Sequence, residues 1–231
     1  MSIEKNQAWP FRAKVMQEIF KTAFAGPVKI LEVGSWYGIG STKIWLDNIK
    51  NGSTLVLIDS WRPYASKADL EEDNAYDYKG MDDLSTDAFL STYLNIKDFE
   101  DKSMGREIKV NMIRGKSSEV LPFFQNDLFD FIYIDGDHKY EIVKSDIQQA
   151  KRLVNKKFGV ICGDDLEKMP TAELIRIAST YKQRDYHRED AFHPGVLLAV
   201  SEEFENVNMF NGFWWIACLN GKFDSNIGRL A

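Results

Sequence analysis

The chain has 231 residues, of which 44% are hydrophobic and 28% are charged, and its formal net charge is -6. This length and composition suit one globular α/β domain, with room for an insertion, better than two independent domains. The negative charge argues against a nucleic-acid partner, because nucleic-acid-binding domains usually carry a basic face. No apolar run approaches the ~20 residues of a membrane span, and the N-terminal stretch lacks the features of a signal peptide. We therefore expect a cytoplasmic protein with no membrane partner.

The first predicted element is an amphipathic helix within an N-terminal helical segment, residues 1–27. Apolar residues recur there at helical spacing: Val15, Ile19, Phe20 and Ala23. A short strand ending at Glu32 and Val33 follows, then a glycine-bearing turn and a helix from about Ser41. Buried strands are predicted at residues 54–59, 108–115, 129–135 and 158–164, with an amphipathic helix over residues 139–154. Strands that alternate with helices predict a mostly parallel sheet covered on both faces.

The C-terminal part departs from this alternation. After a helix-like segment at residues 195–204, two strand-like runs, VNMF and FWWIACL, are separated only by Asn211 and Gly212. Asn-Gly between two strand-type runs is the strongest short hairpin signal. The predicted fold is therefore an α/β, Rossmann-like, mostly parallel sheet with helices on both faces and a C-terminal antiparallel hairpin.

Residues 61–107 interrupt the alternation of strands and helices. The segment is acidic, rich in tyrosine and long for a single crossover connection. Two interpretations are open: a helical crossover with a solvated acidic face, and a lid or substrate-facing insertion. In the second interpretation, aromatic side chains could stack on a sugar ring or pack the lid. These aromatic residues are Trp61, Tyr64, Tyr76 and Tyr78.

The glycine turn, residues 34–40, contains Gly34, Gly38 and Gly40. Glycines there would let backbone N–H groups approach a ligand at the positive end of the helix dipole. The spacing differs from the dinucleotide-binding pattern G-x-G-x-x-G, and a tight turn without a ligand is the alternative. Asp59 closes the second strand, where a carboxylate can accept both hydroxyls of a ribose, although it could also be a turn or capping residue. Because Glu32 also ends an apolar run at this edge, the pair favours a nucleoside-containing cofactor.

Three carboxylates, called the acidic cluster below, end the fourth and fifth predicted strands: Asp135, Asp164 and Asp165. Adjacent strand ends in a parallel sheet lie only ~5 Å apart. If these strands are neighbours, the carboxylates converge and repel one another unless a positive charge compensates them. A divalent cation would do so, and oxygen ligands suit Mg²⁺ or Mn²⁺. His138 follows closely enough to face the same pocket, whereas Asp137 is predicted to be a turn residue.

The ordered motifs LEVGSWYGIGS, LIDSW, FDFIYIDGDH, GVICGDD and HPGVLLAVSEEF, with the closing hairpin, resemble class I S-adenosylmethionine-dependent methyltransferases over residues 28–220. DGDH followed by GDD is similar to metal-dependent O-methyltransferases, among them the macrocin and mycinamicin enzymes and, more distantly, the catechol type. The resemblance implies a single methyltransferase domain over residues 1–231. It also implies S-adenosylmethionine as cofactor, a divalent cation, expected to be Mg²⁺, and a hydroxyl of a small molecule or sugar as methyl acceptor.

The same resemblance implies roles for individual residues. The cofactor-binding residues would be Glu32, Gly34, Ser35, Gly38, Asp59, Ser117 and Asp135. Among them, Asp59 would hold the ribose hydroxyls and Ser117 would lie near the adenine. The metal ligands would be Asp135, Asp164 and Asp165, the last of which can be asparagine in relatives. His138 would be the general base that takes the proton of the acceptor hydroxyl.

Other functions stay open. A nucleotide-dependent oxidoreductase could use the same strand–turn–helix, but it leaves the acidic cluster without a purpose. A degenerate, non-enzymatic module is a second alternative, and hydroxylase-type chemistry on the same fold and metal site is a third. His193 is predicted to be structural or solvent-exposed, with substrate contact as its alternative, and His187 is predicted to lie on the surface. A homo-oligomer is also open, because Phe11 and the FWWI strand could be core or interface.

Overall fold

A mixed sheet of eight strands lies at the centre of the computed structural model, which describes residues 10–62 and 81–225, without the side chains of residues 81–83. The strands are β1 (Lys29–Val33), β2 (Thr54–Asp59), β3 (Lys109–Arg114), β4 (Phe131–Ile134), β5 (Phe158–Leu166), β6 (Asn208–Phe210), β7 (Gly212–Leu219) and β8 (Lys222–Asp224). The helices are α1 (Pro10–Ala23), α2 (Ser41–Asn48), α3 (Met81–Lys102), α4 (Ser117–Val120), α5 (Tyr140–Leu153), α6 (Ala172–Tyr181) and α7 (Pro194–Glu203), with a 3-10 turn at Leu121–Phe123.

The order of the strands in the sheet is β3-β2-β1-β4-β5-β7-β6, and β8 also pairs with β7. Strands β1 to β5 pair in parallel, whereas β7 is antiparallel to β5 and to both short strands beside it. The predicted mostly parallel sheet with an antiparallel C-terminal end is confirmed. Because β4 and β5 are neighbours, the strand ends that carry the acidic cluster lie side by side.

Both faces of the parallel strands are covered. Successive side chains of a strand point to opposite faces, and all four residues of β4 are buried. On one face, Ile132 and Ile134 belong to a core that includes residues of α5 and α7. On the other, Phe131 lies between Phe20 of α1 and Trp45 of α2, at ring-centroid distances of 5.2 and 4.8 Å. Each such side chain contributes roughly 1.5–3 kcal/mol on burial, so α1 is firmly anchored to the sheet.

Two Asn-Gly turns shape the C-terminal strands. Asn211 and Gly212 have φ values of 49° and 88°, the left-handed pair that a two-residue type I′ hairpin requires. The predicted hairpin between β6 and β7 is confirmed. A second turn, Asn220–Gly221, has φ values of 51° and 77° and joins β7 to β8. This second hairpin carries the same sequence signal but was not predicted.

The predicted lid or insertion, residues 61–107, falls only partly within the described residues. Tyr64, Tyr76 and Tyr78 lie outside them, so the lid hypothesis and their substrate contacts stay predictions. Trp61 is buried, with 1% of its surface exposed, and its indole N–H donates to the Trp36 carbonyl at 2.9 Å. It therefore packs against the glycine turn. None of the helices in the described ranges is long and apolar enough to cross a membrane.

Candidate active site

Gly34 begins the glycine turn at the end of β1. Its φ of +85° lies in the left-handed region, and its N–H donates to the Ile58 carbonyl at 2.8 Å. A Cβ at this position would lie 1.8 Å from the backbone oxygen of Asp135. Only glycine satisfies both the conformation and the space. The backbone of the glycine turn therefore lies directly against the end of β4, beside the acidic cluster.

Asp59 holds the glycine turn from the side of β2. Its Oδ2 accepts the backbone N–H groups of Ser35 and Trp36, each at 2.9 Å, and its Oδ1 accepts that of Trp61 at 2.7 Å. Burial raises the pKa of Asp59, and these three N–H groups oppose the rise. Asp59 thus supports the turn, in line with the alternative role of a turn or capping residue. Its predicted contact with ribose hydroxyls stays a prediction.

Helix α3 holds the other side of the glycine turn. The Thr92 hydroxyl donates to the Trp36 carbonyl at 2.7 Å, and the Ser91 hydroxyl donates to the Tyr37 carbonyl at 3.0 Å. Gly38 has a φ of +68°, and a Cβ there would lie 3.0 Å from the Thr92 Cα. Gly38 therefore permits the close approach of α3, whatever else it contacts.

Glu32 lies beneath the turn and is fully buried. The Ser41 hydroxyl donates to its Oε1 at 2.5 Å, whereas Oε2 has no hydrogen-bond partner among the described residues. Burial raises the pKa of Glu32 to about 8. The side chains of Ser41, Thr42 and Trp45 oppose this rise in the pKa of Glu32. Of the three, Thr42 and Trp45 make no hydrogen bond of ordinary geometry with Glu32.

Ser117 begins α4, after β3, and is partly exposed. Its hydroxyl interacts with Asp146 of α5, which is buried. Burial raises the pKa of Asp146 to about 7, and Ser117 opposes the rise. Ser117 thus contacts α5 and lies outside the glycine turn, and its predicted place near the adenine stays a prediction.

A break in β5 brings Asp164 and Asp165 to the same site. In a regular strand, two consecutive side chains point to opposite faces, but the pairing of β5 with β7 shifts between Gly163 and Leu166. Asp165 has a φ of 64°, a left-handed conformation that costs about 1–3 kcal/mol in a residue other than glycine. The Tyr133 hydroxyl lies 3.0 Å from Asp135 Oδ2 and 3.5 Å from Asp164 Oδ2, so the carboxylates converge as predicted, whereas their role as metal ligands stays a prediction.

The acidic cluster is partly compensated by groups that the sequence did not point to. Arg12 of α1 places Nη1 at 2.8 and 2.7 Å from the two carboxylate oxygens of Asp164. The Tyr133 hydroxyl donates to Asp135 Oδ2 at 3.0 Å. Burial, Asp164 and Asp165 hold the pKa of Asp135 well above its ordinary value, against the opposing effect of Arg12. The charge argument for a cation is therefore weaker than the sequence alone suggested.

His138 lies between two carboxylates. Its Nδ1 is 2.6 Å from Asp185 Oδ1, and its Nε2 is 2.9 Å from Asp165 Oδ2. Burial opposes a charge on the ring, but Asp185 and Asp165 hold the pKa of His138 well above its ordinary value. The pKa of Asp165 is lowered despite burial, because His193 and His138 favour its charged form. Both ring nitrogens of His138 therefore face carboxylate oxygens, and Asp185 fixes the orientation of the ring.

His193 joins the same cluster of groups. Its Nδ1 lies 2.5 Å from Glu167 Oε1 and 3.7 Å from Asp165 Oδ1, and its ring centroid lies 4.4 Å from that of His138. Among the described residues, the ligand atoms of His138, Asp165 and His193 all lie within 4.8 Å of one another and could hold a metal ion. This set shares only Asp165 with the predicted ligands. His193 thus lies beside the acidic cluster and not on the surface, and its contact with a substrate stays a prediction.

Some site residues could have been found from the sequence and others could not. Tyr133 lies two positions before Asp135, so the period of a strand places both on one face. Arg12 and Asp185 lack such a signal, since their partners lie far away in the chain. The prediction for His187 was wrong: it is buried, with 6% of its surface exposed, and it pairs with Phe192 through the backbone.

A family model described as a methyltransferase domain matches residues 31–166. Among curated proteins, none matches the sequence. The solved structure of cofactor-bound Rv0187 from MTB has 17% identity and a TM-score of 0.56, covering 94% of this chain and 83% of that chain. The O-methyltransferase from Bacillus cereus, solved with SAH, has 16% identity and a TM-score of 0.54, covering 94% and 84%. TomG from Streptomyces achromogenes, an O-methyltransferase of tomaymycin synthesis solved with SAM, has 13% identity and a TM-score of 0.53, covering 92% and 81%.

At these identities, the solved structures establish a shared fold. The family match carries more weight, because it runs from β1 through the acidic cluster and covers more than half of the chain. The chain therefore belongs to the methyltransferase-domain family, and its fold is that of the class I methyltransferases.

Proposed function

We propose that this enzyme transfers the methyl group of S-adenosylmethionine to a hydroxyl oxygen of a small molecule or sugar, with a divalent cation at the acidic cluster. The observation that carries this proposal is the contact between Gly34 and Asp135, where a Cβ would lie only 1.8 Å from the Asp135 oxygen. The glycine turn and the acidic cluster therefore adjoin. A methyl donor at the first and an acceptor oxygen at the second would be neighbours, as group transfer requires.

On the cofactor side, the proposed contacts are those predicted from the sequence: Glu32, Gly34, Ser35, Gly38, Asp59, Ser117 and Asp135. A feature that supports a ligand here is the buried Oε2 of Glu32, which has no hydrogen-bond partner among the described residues. Such an acceptor favours a ligand with N–H or O–H donors, because an unmet buried acceptor is costly. The oxygen specificity rests on the solved relatives, since the proteins from Bacillus cereus and Streptomyces achromogenes are O-methyltransferases.

On the acceptor side, the donor set suits a divalent cation in part. Asp135 and Asp165 offer carboxylate oxygens, the ligands that Mg²⁺ prefers, whereas Asp164 is already paired with Arg12. We propose Asp135, Asp164 and Asp165 as the ligands. A cation held there would lower the pKa of an acceptor hydroxyl in contact with it.

We propose His138 as the general base. Its Nδ1 is held by Asp185 at 2.6 Å, so Nε2 is directed toward Asp165 and the acidic cluster. A positive charge at Asp165 would remove one of the two carboxylates that retain the proton on His138, and the neutral ring could then take the proton of the acceptor hydroxyl. Asp185 would stabilise the imidazolium that forms.

The test is transfer of label from radiolabelled S-adenosylmethionine to a panel of sugars, polyols and catechols, with the His138→Ala variant as control. We expect a labelled product that survives mild alkali, as a methyl ether does and a methyl ester does not. Product formation should depend on a divalent cation. Activity that withstands EDTA would remove the metal role, and thermal stabilisation by NAD in place of S-adenosylmethionine would favour the oxidoreductase alternative.

A further inference from the structure

Arg12, a basic residue of α1, contacts the acidic cluster. Its Nη1 lies 2.8 Å from Oδ1 and 2.7 Å from Oδ2 of Asp164, and their side chains are only 14% and 5% exposed. Charge-assisted hydrogen bonds of this length are among the stronger contacts in proteins. Asp164 raises the pKa of Arg12 against the effect of burial. The guanidinium is therefore a fixed positive charge on one of the proposed metal ligands.

The fold delivers Arg12 to this position through the anchoring of α1. Met16 and Phe20 follow Arg12 at intervals of one helical turn, which places the three side chains on one face of the helix. Both hydrophobic side chains are buried, at 1% and 2% exposure. Phe20 contacts Trp45 and Phe131 at ring-centroid distances of 5.7 and 5.2 Å. Since this face is packed against the core, Arg12 is directed at Asp164 whenever α1 is in place.

The space around the Arg12–Asp164 pair is limited. Gly212, in the hairpin between β6 and β7, lies so close that a Cβ there would be 3.0 Å from Asp164 Oδ1 and 3.6 Å from Arg12 Nη1. The backbone N–H of Asp165 also donates to Asp164 Oδ1, at 2.9 Å. A second positive charge at the Asp164 carboxylate would have to displace the guanidinium or lie against it, and like charges at that distance repel.

We propose that Arg12 and a divalent cation are alternative partners of Asp164, so that helix α1 sets the affinity of the acidic cluster for the cation. The inference deepens the proposed function and depends on it in one respect, the location of the cation at the acidic cluster. By linkage, a cation that weakens the Arg12 contact must also weaken the docking of α1 by the same factor.

The test is Mn²⁺ binding to the EDTA-treated, full-length protein, measured by titration calorimetry. The variants are Arg12→Gln and, as a control with the same charge change, Lys14→Gln at an exposed position of the same helix. We expect Arg12→Gln to bind Mn²⁺ about tenfold more tightly, a typical coupling between two sites, and Lys14→Gln to bind as the unmodified protein does. In the double variant Arg12→Gln/Asp164→Asn, the gain should disappear.

Hydrogen exchange gives a second measurement that needs no variant. Saturating Mn²⁺ should speed exchange of the α1 amides in the unmodified protein but leave unchanged those of α6, which packs against a different core cluster from α1. Equal Mn²⁺ affinity of the unmodified protein and Arg12→Gln would overturn the proposal, as would a gain that persists without the Asp164 carboxylate. Absence of methyl transfer to every acceptor would instead refute the proposed function and leave a measured Arg12 effect standing.

Discussion

The glycine turn and the acidic cluster meet at Gly34 and Asp135, yet different contacts hold each of them in place. The turn is held by backbone groups, with three N–H groups on Asp59 and two carbonyls that accept from α3. The acidic cluster is held by charged side chains from separate elements, Arg12 among them. Changes to the turn should therefore act mainly on folding and cofactor binding, whereas changes to the cluster should act mainly on turnover and metal binding.

Replacing His138 is expected to have the largest effect and to separate the two regions. His138→Ala should lower turnover by roughly 10²–10⁴-fold, the usual contribution of a general base. The affinity for S-adenosylmethionine should stay unchanged, because His138 contacts the cluster and not the turn. Steady-state kinetics and cofactor titration would measure both quantities. Full turnover in the variant would exclude His138 as the base.

Replacing Gly34 tests the turn in the complementary way. Gly34→Ala combines a φ of +85° with a Cβ only 1.8 Å from a backbone oxygen, so we expect a loss of about 3 kcal/mol or more in the free energy of unfolding. For a chain of this size, that corresponds to a fall in Tm of about 6–12 °C. Gly26→Ala is the matched control, since a Cβ there would meet nothing within 4 Å. Equal melting temperatures for the two variants would contradict the packing of Gly34.

Replacing Asp185 separates the orientation of His138 from metal binding, because Asp185 holds His138 without being a proposed metal ligand. Asp185→Asn should lower turnover by about 10–100-fold, as the loss of an orienting partner commonly does. It should also shift the pKa of His138 in the pH–rate profile downward, since one of the two carboxylates that stabilise its protonated form is lost. A variant with reduced turnover but an unshifted profile would indicate a merely structural role for Asp185.

Glu32 gives an effect that is spread over several pH units, a pH dependence of stability that belongs to the turn. Its pKa rises from 4.5 to about 8 on folding, so the folded protein binds more protons than the unfolded chain between these values. Stability should therefore fall as pH rises through this window, by at most about 1.4 kcal/mol per pH unit. Glu32→Gln, which keeps an acceptor for Ser41, should remove this contribution. Urea midpoints at pH 5, 6.5 and 8 would measure it, and identical slopes in both proteins would refute it.

Local sequence patterns predicted single elements better than the contacts between them. Alternating strands and helices placed Asp135 and Asp164 at strand ends, and Asn211–Gly212 predicted the hairpin, because these signals lie within a few residues of what they determine. That the two strands are neighbours was a condition of the prediction, which the structure fulfils. Arg12 and Asp164 are separated by 152 positions, and no periodicity connects them. The compensation of the acidic cluster depends on how α1 packs, which is a property of the whole core.

The left-handed backbone at Asp165 restricts which residues that position can accept. Apart from glycine, the residue types that adopt such a conformation most readily include asparagine and aspartate. These two are also the short side chains that present an oxygen to a cation or to a histidine. Conformation and chemistry thus select the same two residues independently. A mutational scan would find this position intolerant for two separate reasons. Glutamate would restore the oxygen on a longer side chain, but it would still have to adopt the unfavourable left-handed backbone conformation.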